Sequence, residues 1–325
     1  MSDRCATQKK FNKILIEYRK SVIPALTENW SDLSLEEQSK LLSVNEFFCG
    51  LHFLVGLADQ AEACLKVWEG LLFGNQKVGS VANGGYSNGE SGTTRLIRTV
   101  CKSVQERGCE KSGRMVQFST FLKDKHGIDD IPLYPFLGNR FNILFLNGAG
   151  VFHLFPYLTE FFSSLNDENR LLTAVNHDLQ VLAYKIGCKA LGLIHKKITG
   201  PLWRKMIKEK NAVNMTAHYK NMLSKFEKWS QDCTPFLSGN DSLFPDLLHD
   251  DNIFQTVLSH SEHDLTMLKP LLEMVFSSFV SLSKRMLFDH LEGDLSNPSE
   301  TLLHEAKSVS TTNVSAERTL VCLTV

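Results

Sequence analysis

Apolar residues return at every third or fourth position through most of this chain, and that spacing constrains its fold more than any other feature. In residues 6–22, Phe11, Ile14, Leu15, Tyr18 and Val22 share one stripe of a 3.6-residue helix, with Pro24 just beyond. Ser34-Leu-Glu-Glu37 is a capping box and predicts a short helix over 35–43. Leu51, Leu54, Val55, Ala58, Ala61, Leu65 and Trp68 mark a strong helix over 50–73. Further helices are expected at 114–123, 140–164, 167–195, 199–209, 213–229 and 254–291, the last with Pro270 as a point for a kink. Residues 293–312 read as a linker, with a turn or two of helix at 300–307. The short apolar segment Val44–Cys49 is the one expected buried strand.

The periodicity breaks at 74–93. Gly74, Gly79, Gly84, Gly85, Gly89 and Gly92, with Ser and Asn between them, predict a flexible loop that buries little. A mildly basic segment follows, with Arg95, Arg98, Lys102, Arg107, Lys111 and Arg114. Over the 325 residues the net charge is −1, so nucleic-acid binding would have to come from local patches such as this one. The first 30 residues hold no apolar run of a signal peptide, and no run of 18 apolar residues offers a membrane span. A protein that is not secreted keeps its eight cysteines reduced.

Several catalytic signatures are missing. Gly74 and Gly79 have the spacing of a phosphate loop without its Lys, and no Gly-x-Ser-x-Gly elbow occurs. Gly148-Ala-Gly150 reads as a close helix contact. His260 and His263 lack a third ligand nearby. Cys49-x-x-His52 is half of a zinc spacing without its second pair, and reads instead as a buried Cys and a hydrogen-bonded His where the strand turns into the helix.

Four islands nevertheless fall in a recognisable order: Ser2-Asp3-Arg4-Cys5-Ala6, Cys49-x-x-His52, Asn139-Arg140-Phe141-Asn142, and Ser315-Ala316-Glu317-Arg318. In that order the chain resembles the catalytic region of hAT-superfamily DNA transposases. The resemblance implies a mainly α fold in which a large helical insertion domain is flanked by remnants of an RNase H-like α/β core. The implied division is 1–46 as partial core, 47–300 as the helical insertion carrying the loop 74–93, and 301–325 as the closing helix and dimerisation segment.

The resemblance makes Asp3 and Glu317 the catalytic carboxylates, sharing Mg²⁺ in a two-metal phosphoryl transfer with cations about 3.5–4 Å apart. It assigns Arg140, Phe141 and Arg318 to DNA, Phe141 standing where the family usually carries Trp, and Cys49 with His52 to a structural motif. The family's first Asp and its strands would lie before Met1. The expectation is therefore a catalytically inactive, transposase-derived protein that keeps DNA or protein binding, with Mg²⁺ needed only if the site were completed. The alternatives are a fragment of an active Mg²⁺-dependent DNA transposase and a helical protein-interaction scaffold. The expected partners are DNA, bound weakly, and a second copy of the chain, with no membrane and no small-molecule substrate. The expected location is the nucleus or the cytoplasm.

The same residues have plainer readings. Asp3 and Glu317 are acids in first helical turns, Arg140 is a surface residue near Asp129 and Asp130, and Phe141 is core beside Ile143, Leu144 and Phe145.

Overall fold

The computed structural model describes residues 6–85, 89–104, 114–136, 142–165, 169–209 and 211–312. Among them the fold is mainly α. In chain order the helices are α1 Ala6–Leu26, α2 Leu35–Leu42, α3 Leu51–Phe73, α4 Gly92–Ser103, α5 Met115–His126, α6 Ile143–His153, α7 Phe155–Ser164 and α8 Arg170–Leu179. They continue as α9 Leu182–Ile194, α10 Gly200–Lys208, α11 Met215–Gln231, α12 Thr234–Leu237, α13 Asn252–Leu258, α14 Glu262–Met286, α15 Phe288–Leu291 and α16 Glu300–Glu305.

The chain divides into two compact units. The smaller comprises Met1–His52, Met206–Met215 and Pro298–Val325; the larger comprises Phe53–Lys205 and Thr216–Asn297.

In the smaller unit α2 opens on the expected capping box: Ser34 Oγ accepts from the Glu37 N–H, and the Glu37 carboxylate accepts from the Ser34 N–H at 2.8 Å. Helix α1 is tied beside it by Arg19 Nη2, which donates to the Leu41 carbonyl at 2.9 Å, and by Asn12 Nδ2, which donates to Glu46 at 2.7 Å. Distant parts of the chain meet here. Gly50 N–H donates to the Thr311 carbonyl at 3.0 Å, Ala212 N–H to the Val309 carbonyl at 2.9 Å, and Asn45 Nδ2 to Glu305 at 2.6 Å. Of the expected strand at 44–49 only Phe48 has bridge character, and no longer strand exists among the described residues. Single bonds to scattered partners hold this segment where a strand would need a continuous ladder.

Helix α9 is the spine of the larger unit. Of its thirteen residues only Leu182 and Lys185 are not buried. Helix α6 lies closest against it because glycines face it: a Cβ on Gly148 would sit 2.7 Å from Leu191 Cβ, and one on Gly192 3.0 Å from Ala149 Cα. Helices α4, α13 and α14 also pack on α9. Beside this spine, Phe226, Trp229, Phe236, Phe276 and Phe279 form an aromatic core, with the Trp229 and Phe236 rings 4.9 Å apart and Phe236 and Phe276 5.0 Å apart.

Helix α14 is the one helix among the described residues long and apolar enough to cross a membrane by length and composition. Its buried residues Leu268, Leu271, Leu272, Val275, Phe276, Phe279 and Leu282 follow the i, i+3, i+4, i+7 rule of a core-facing stripe.

Three long expected helices are divided. Pro156 opens a new helix after Leu154, so 140–164 becomes α6 and α7. Val181 stands in extended conformation between α8 and α9. Ser261 caps α14, with the Asp264 N–H donating to its Oγ at 3.1 Å, and so separates α14 from α13. Between α9 and α10 the helix widens into a π turn over His195–Thr199.

Candidate functional site

Among the residues singled out from the sequence, Asp3, Arg140, Phe141, Glu317 and Arg318 lie outside the described residues. Cys49 and His52 are described. Cys49 is buried, and the His52 N–H donates to the Cys49 carbonyl at 3.3 Å, so the Cys-x-x-His spacing is that of the turn that starts α3. Among the described residues, no group of three or more His, Cys, Asp or Glu side chains could hold a metal ion.

Among the described residues, a dense polar constellation lies in the larger unit, at the end of the expected loop 74–93. A 3₁₀ turn covers Gly79–Asn83, and α4 begins at Gly92. The start of α4 is closed by two carboxylates of α3, one heptad apart. Glu69 accepts from the Gly92 N–H at 2.6 Å, the Thr93 N–H at 2.9 Å and Thr93 Oγ1 at 2.8 Å. Glu62 accepts from the Ser91 N–H at 2.6 Å, from Ser91 Oγ at 2.7 Å and from Thr94 Oγ1. Ser91 Oγ in turn accepts from the Thr94 N–H at 3.0 Å. The orphan donors of the helix start are thereby satisfied within the chain. Burial pushes the Glu69 carboxyl up from its ordinary pKa, against the pull of the Thr93 and Gly92 hydrogen bonds and with the help of the neighbouring Glu62 charge.

One turn further on, Arg95 enters the core. Its Nε and Nη2 each donate to Asp178 of α8 at 2.9 Å, and Nη2 reaches Tyr184 Oη of α9 at 3.3 Å. Asp178, fully buried, also accepts from the Ser80 N–H at 2.7 Å and from Ser80 Oγ at 3.1 Å. Burial works to lower the Arg95 pKa, but the hydrogen bonds and charge of Asp178 outweigh it and hold the guanidinium above its ordinary value. Burial raises the Tyr184 hydroxyl. Glycines make room for the cluster: a Cβ on Gly92 would lie 2.1 Å from Tyr184 Cζ, and one on Gly79, at φ +61°, 2.3 Å from Asp178 Oδ1.

This cluster floors an open cleft of about 360 Å³ whose walls include Lys66, Phe73, Lys77, Val81, Glu90 and Tyr184. It offers both charge signs and an aromatic edge to a polar ligand. A helix N-terminus ordinarily attracts phosphate, but here Glu62 and Glu69 already fill it. Two cations of the expected basic stretch are likewise engaged. Arg95 is buried on Asp178, and Arg98 Nε donates to Glu90 at 3.0 Å. Arg95 is therefore closed to a nucleic-acid phosphate.

Other reactive side chains of the larger unit are also buried. Lys189 Nζ donates to the Ser259 carbonyl at 2.6 Å and to Asp264 at 2.5 Å. In the π turn, Lys197 Nζ donates to the Phe236 carbonyl and lies 4.3 Å from the Phe236 ring centroid; burial brings its pKa down to about 8. His195 accepts from Asn142 Nδ2 at 3.0 Å, and burial holds its pKa down to about 3. Burial pushes the Cys101 and Cys233 thiols up to about 12, which leaves them poor nucleophiles.

Sequence reasoning missed Glu62, Glu69, Asp178 and Tyr184. The available signal was Ser91-Gly-Thr-Thr as a helix start directly behind the glycine-rich stretch, with two glutamates seven apart on the helix before it. Compared with family models, with curated proteins and with solved structures, the chain matches none.

Proposed function

We infer that this chain is part of a transposase-derived protein of the hAT type and that it acts by binding, to DNA or to protein, rather than by chemistry of its own described residues. One observation carries the reading. Among the described residues, 6–52, 298–312 and the short segment 206–215 fall in one compact unit, and the helices of 53–205 and 216–297 in another. A helical insertion inside a split core would divide a chain in this way. The order of the four sequence islands is the second support. The binding part of the reading draws on the larger unit, where Glu62, Glu69, Arg95, Asp178, Lys189 and Lys197 are all taken up by internal contacts. Work on DNA would place the protein in the nucleus.

Fluorescence anisotropy with duplex DNA at rising salt tests the reading. Binding through phosphates falls steeply as salt rises, because each neutralised phosphate releases a counterion. Such binding, without Mg²⁺-dependent cleavage, is the expected result. Cleavage abolished by Asp3→Ala and by Glu317→Ala would overturn it in favour of an active transposase. The engagement of Arg95 and Arg98 favours a second reading, a helical protein-interaction scaffold, and salt-insensitive or absent DNA binding would support that one.

A further inference from the structure

Three side chains on the floor of the cleft beside α4 keep hydrogen-bonding capacity that the chain itself does not use. Glu69, Arg95 and Tyr184 all line the cleft, yet they are only 8%, 4% and 3% exposed. A guanidinium donates through each of its nitrogens. Arg95 engages Nε and Nη2 with Asp178 and Tyr184, while Nη1 has no partner among the described residues. Tyr184 Oη accepts from Arg95 at 3.3 Å, and its own proton meets no acceptor among those residues. Glu69 Oε1 accepts from both the N–H and Oγ1 of Thr93, but Oε2 accepts only from the Gly92 N–H, which leaves it a lone pair. Donors and acceptors left unmatched in so buried a floor are costly until a ligand meets them.

The charges around the cleft pair off with the same remainder. Asp178 answers Arg95, Arg98 answers Glu90, and Glu62 lies 3.6 Å from Lys66. Two charges are left over among the described residues: the Glu69 carboxylate, bonded only to backbone and hydroxyl donors of α4, and the exposed ammonium of Lys77. The unmatched groups of the floor are close together. Glu69 holds the Gly92 N–H at 2.6 Å, and a Cβ on Gly92 would lie 2.4 Å from Tyr184 Oη. Arg95 follows three residues along α4, about 4.5 Å on the helix axis. Phe73, whose ring meets that of Tyr184 edge-on at 6.2 Å, forms the apolar side of the cleft with Val78 and Val81.

We propose that this cleft binds a free α-amino acid with an apolar side chain. Its carboxylate accepts from Arg95 Nη1 and Tyr184 Oη, with the Lys77 ammonium beside it. Its ammonium donates to Glu69 Oε2, and its side chain rests on Phe73 and Val81. A zwitterion brings one charge of each sign and so matches the two left over, whereas a phosphate would set its charge against Glu69. A peptide carries its ammonium and carboxylate at opposite ends; the free amino acid presents both from one carbon. Arg95 lies too deep for a nucleic-acid backbone but is open to a molecule that enters the cleft. The cleft is open to solvent and the ligand small, so the dissociation constant is on the order of 1 mM. The site is independent of the DNA- or protein-binding reading.

Saturation-transfer NMR on the full chain, titrated with L-phenylalanine, tests the proposal. Saturable binding near that constant is expected. N-acetyl-L-phenylalanine lacks the ammonium and phenethylamine lacks the carboxylate, and each should bind about tenfold more weakly or worse, as the loss of a charged hydrogen bond requires. Gly70→Leu should abolish binding with the fold intact, because Gly70 lines the cleft and a Cβ there meets nothing within 4 Å. Tyr184→Phe, which keeps the ring and removes the donor, should weaken L-phenylalanine by roughly tenfold and leave phenethylamine unchanged. No saturable binding of L-phenylalanine up to about 20 mM overturns the proposal, as does binding that Gly70→Leu leaves untouched. N-acetyl-L-phenylalanine or phenethylamine binding as tightly as L-phenylalanine overturns the amino-acid assignment.

Discussion

Replacing Asp178 by Ala removes the acceptor for four hydrogen bonds at once, two from Arg95 and two from Ser80. The guanidinium, 5% exposed, is left charged in the core with Tyr184 Oη as its remaining hydrogen-bond partner in the cluster. Removing one member of a buried ion pair costs about 3–5 kcal/mol, chiefly through the charge left behind. The Ser80 N–H, also stranded, adds about 1–3 kcal/mol, in part already contained in the first figure because the groups share one acceptor. A loss of about 4 kcal/mol is expected. At a urea slope of about 3 kcal/mol per molar, the unfolding midpoint should fall by about 1.3 M. Hydrogen exchange gives the local readout: amides of α4 should lose protection before those of α11 and α14, which do not touch the cluster.

The decisive comparison is the double variant Arg95→Met with Asp178→Leu, which removes both charges and fills the space with apolar atoms. It should be more stable than Asp178→Ala alone by about 2 kcal/mol, since an apolar replacement for a buried pair is close to neutral. If the two single changes add to the double within about 0.5 kcal/mol, the two groups are not coupled and the reasoning fails.

Two further outcomes are open to test. Lys197 is protonated less readily in the fold than in the unfolded chain, its pKa falling from 10.5 to about 8. Between those values the unfolded state binds the extra proton, so wild-type stability should rise with pH from about 8 to about 10.5, by about 3 kcal/mol at most. Lys197→Met should lack that rise and be stabilised at pH 7 by roughly 1–3 kcal/mol, read as the difference between the two stability–pH curves. Gly92→Ala should cost about 2 kcal/mol or more, because its Cβ would fall 2.2 Å from Tyr184 Cε1. Gly70→Ala, in α3 with nothing within 4 Å of the new atom, should instead gain about 0.5–1 kcal/mol, both glycine variants being read by thermal melts against wild type.

Helices whose stripes are long and regular were legible before any coordinates. Helices α1, α2, α3 and α11 lie within a few residues of their expected spans, because local periodicity and local caps decide them. Helix α4 was not legible. Thr93, Arg95, Thr99 and Ser103 are polar yet buried, so its inward face does not read as apolar. Their burial is made possible by Glu69, 24 residues away from Thr93, and by Asp178, 83 residues away from Arg95. No window of local sequence contains those partners. The same gap hid the candidate site, whose residues come from four separate helices and the 3₁₀ turn at Ser80. The breaks within 140–164 and 254–291 were local and readable in principle, in Pro156 and in Ser261 with Asp264 three residues on. The strength of the periodic pattern overran them.

The closing of α4 by Glu62 and Glu69 makes one helix conditional on another. The instruction to begin α4 is written some 23–32 residues upstream, in side chains aligned only once α3 is helical. During synthesis α3 leaves the ribosome first, so its carboxylates are in place when Ser91 and Gly92 emerge. A fragment cut in the glycine-rich stretch would separate the helix from its own starting signal. Its twelve residues, at the lower limit of what holds alone in water, would then stay unwound however intact their sequence.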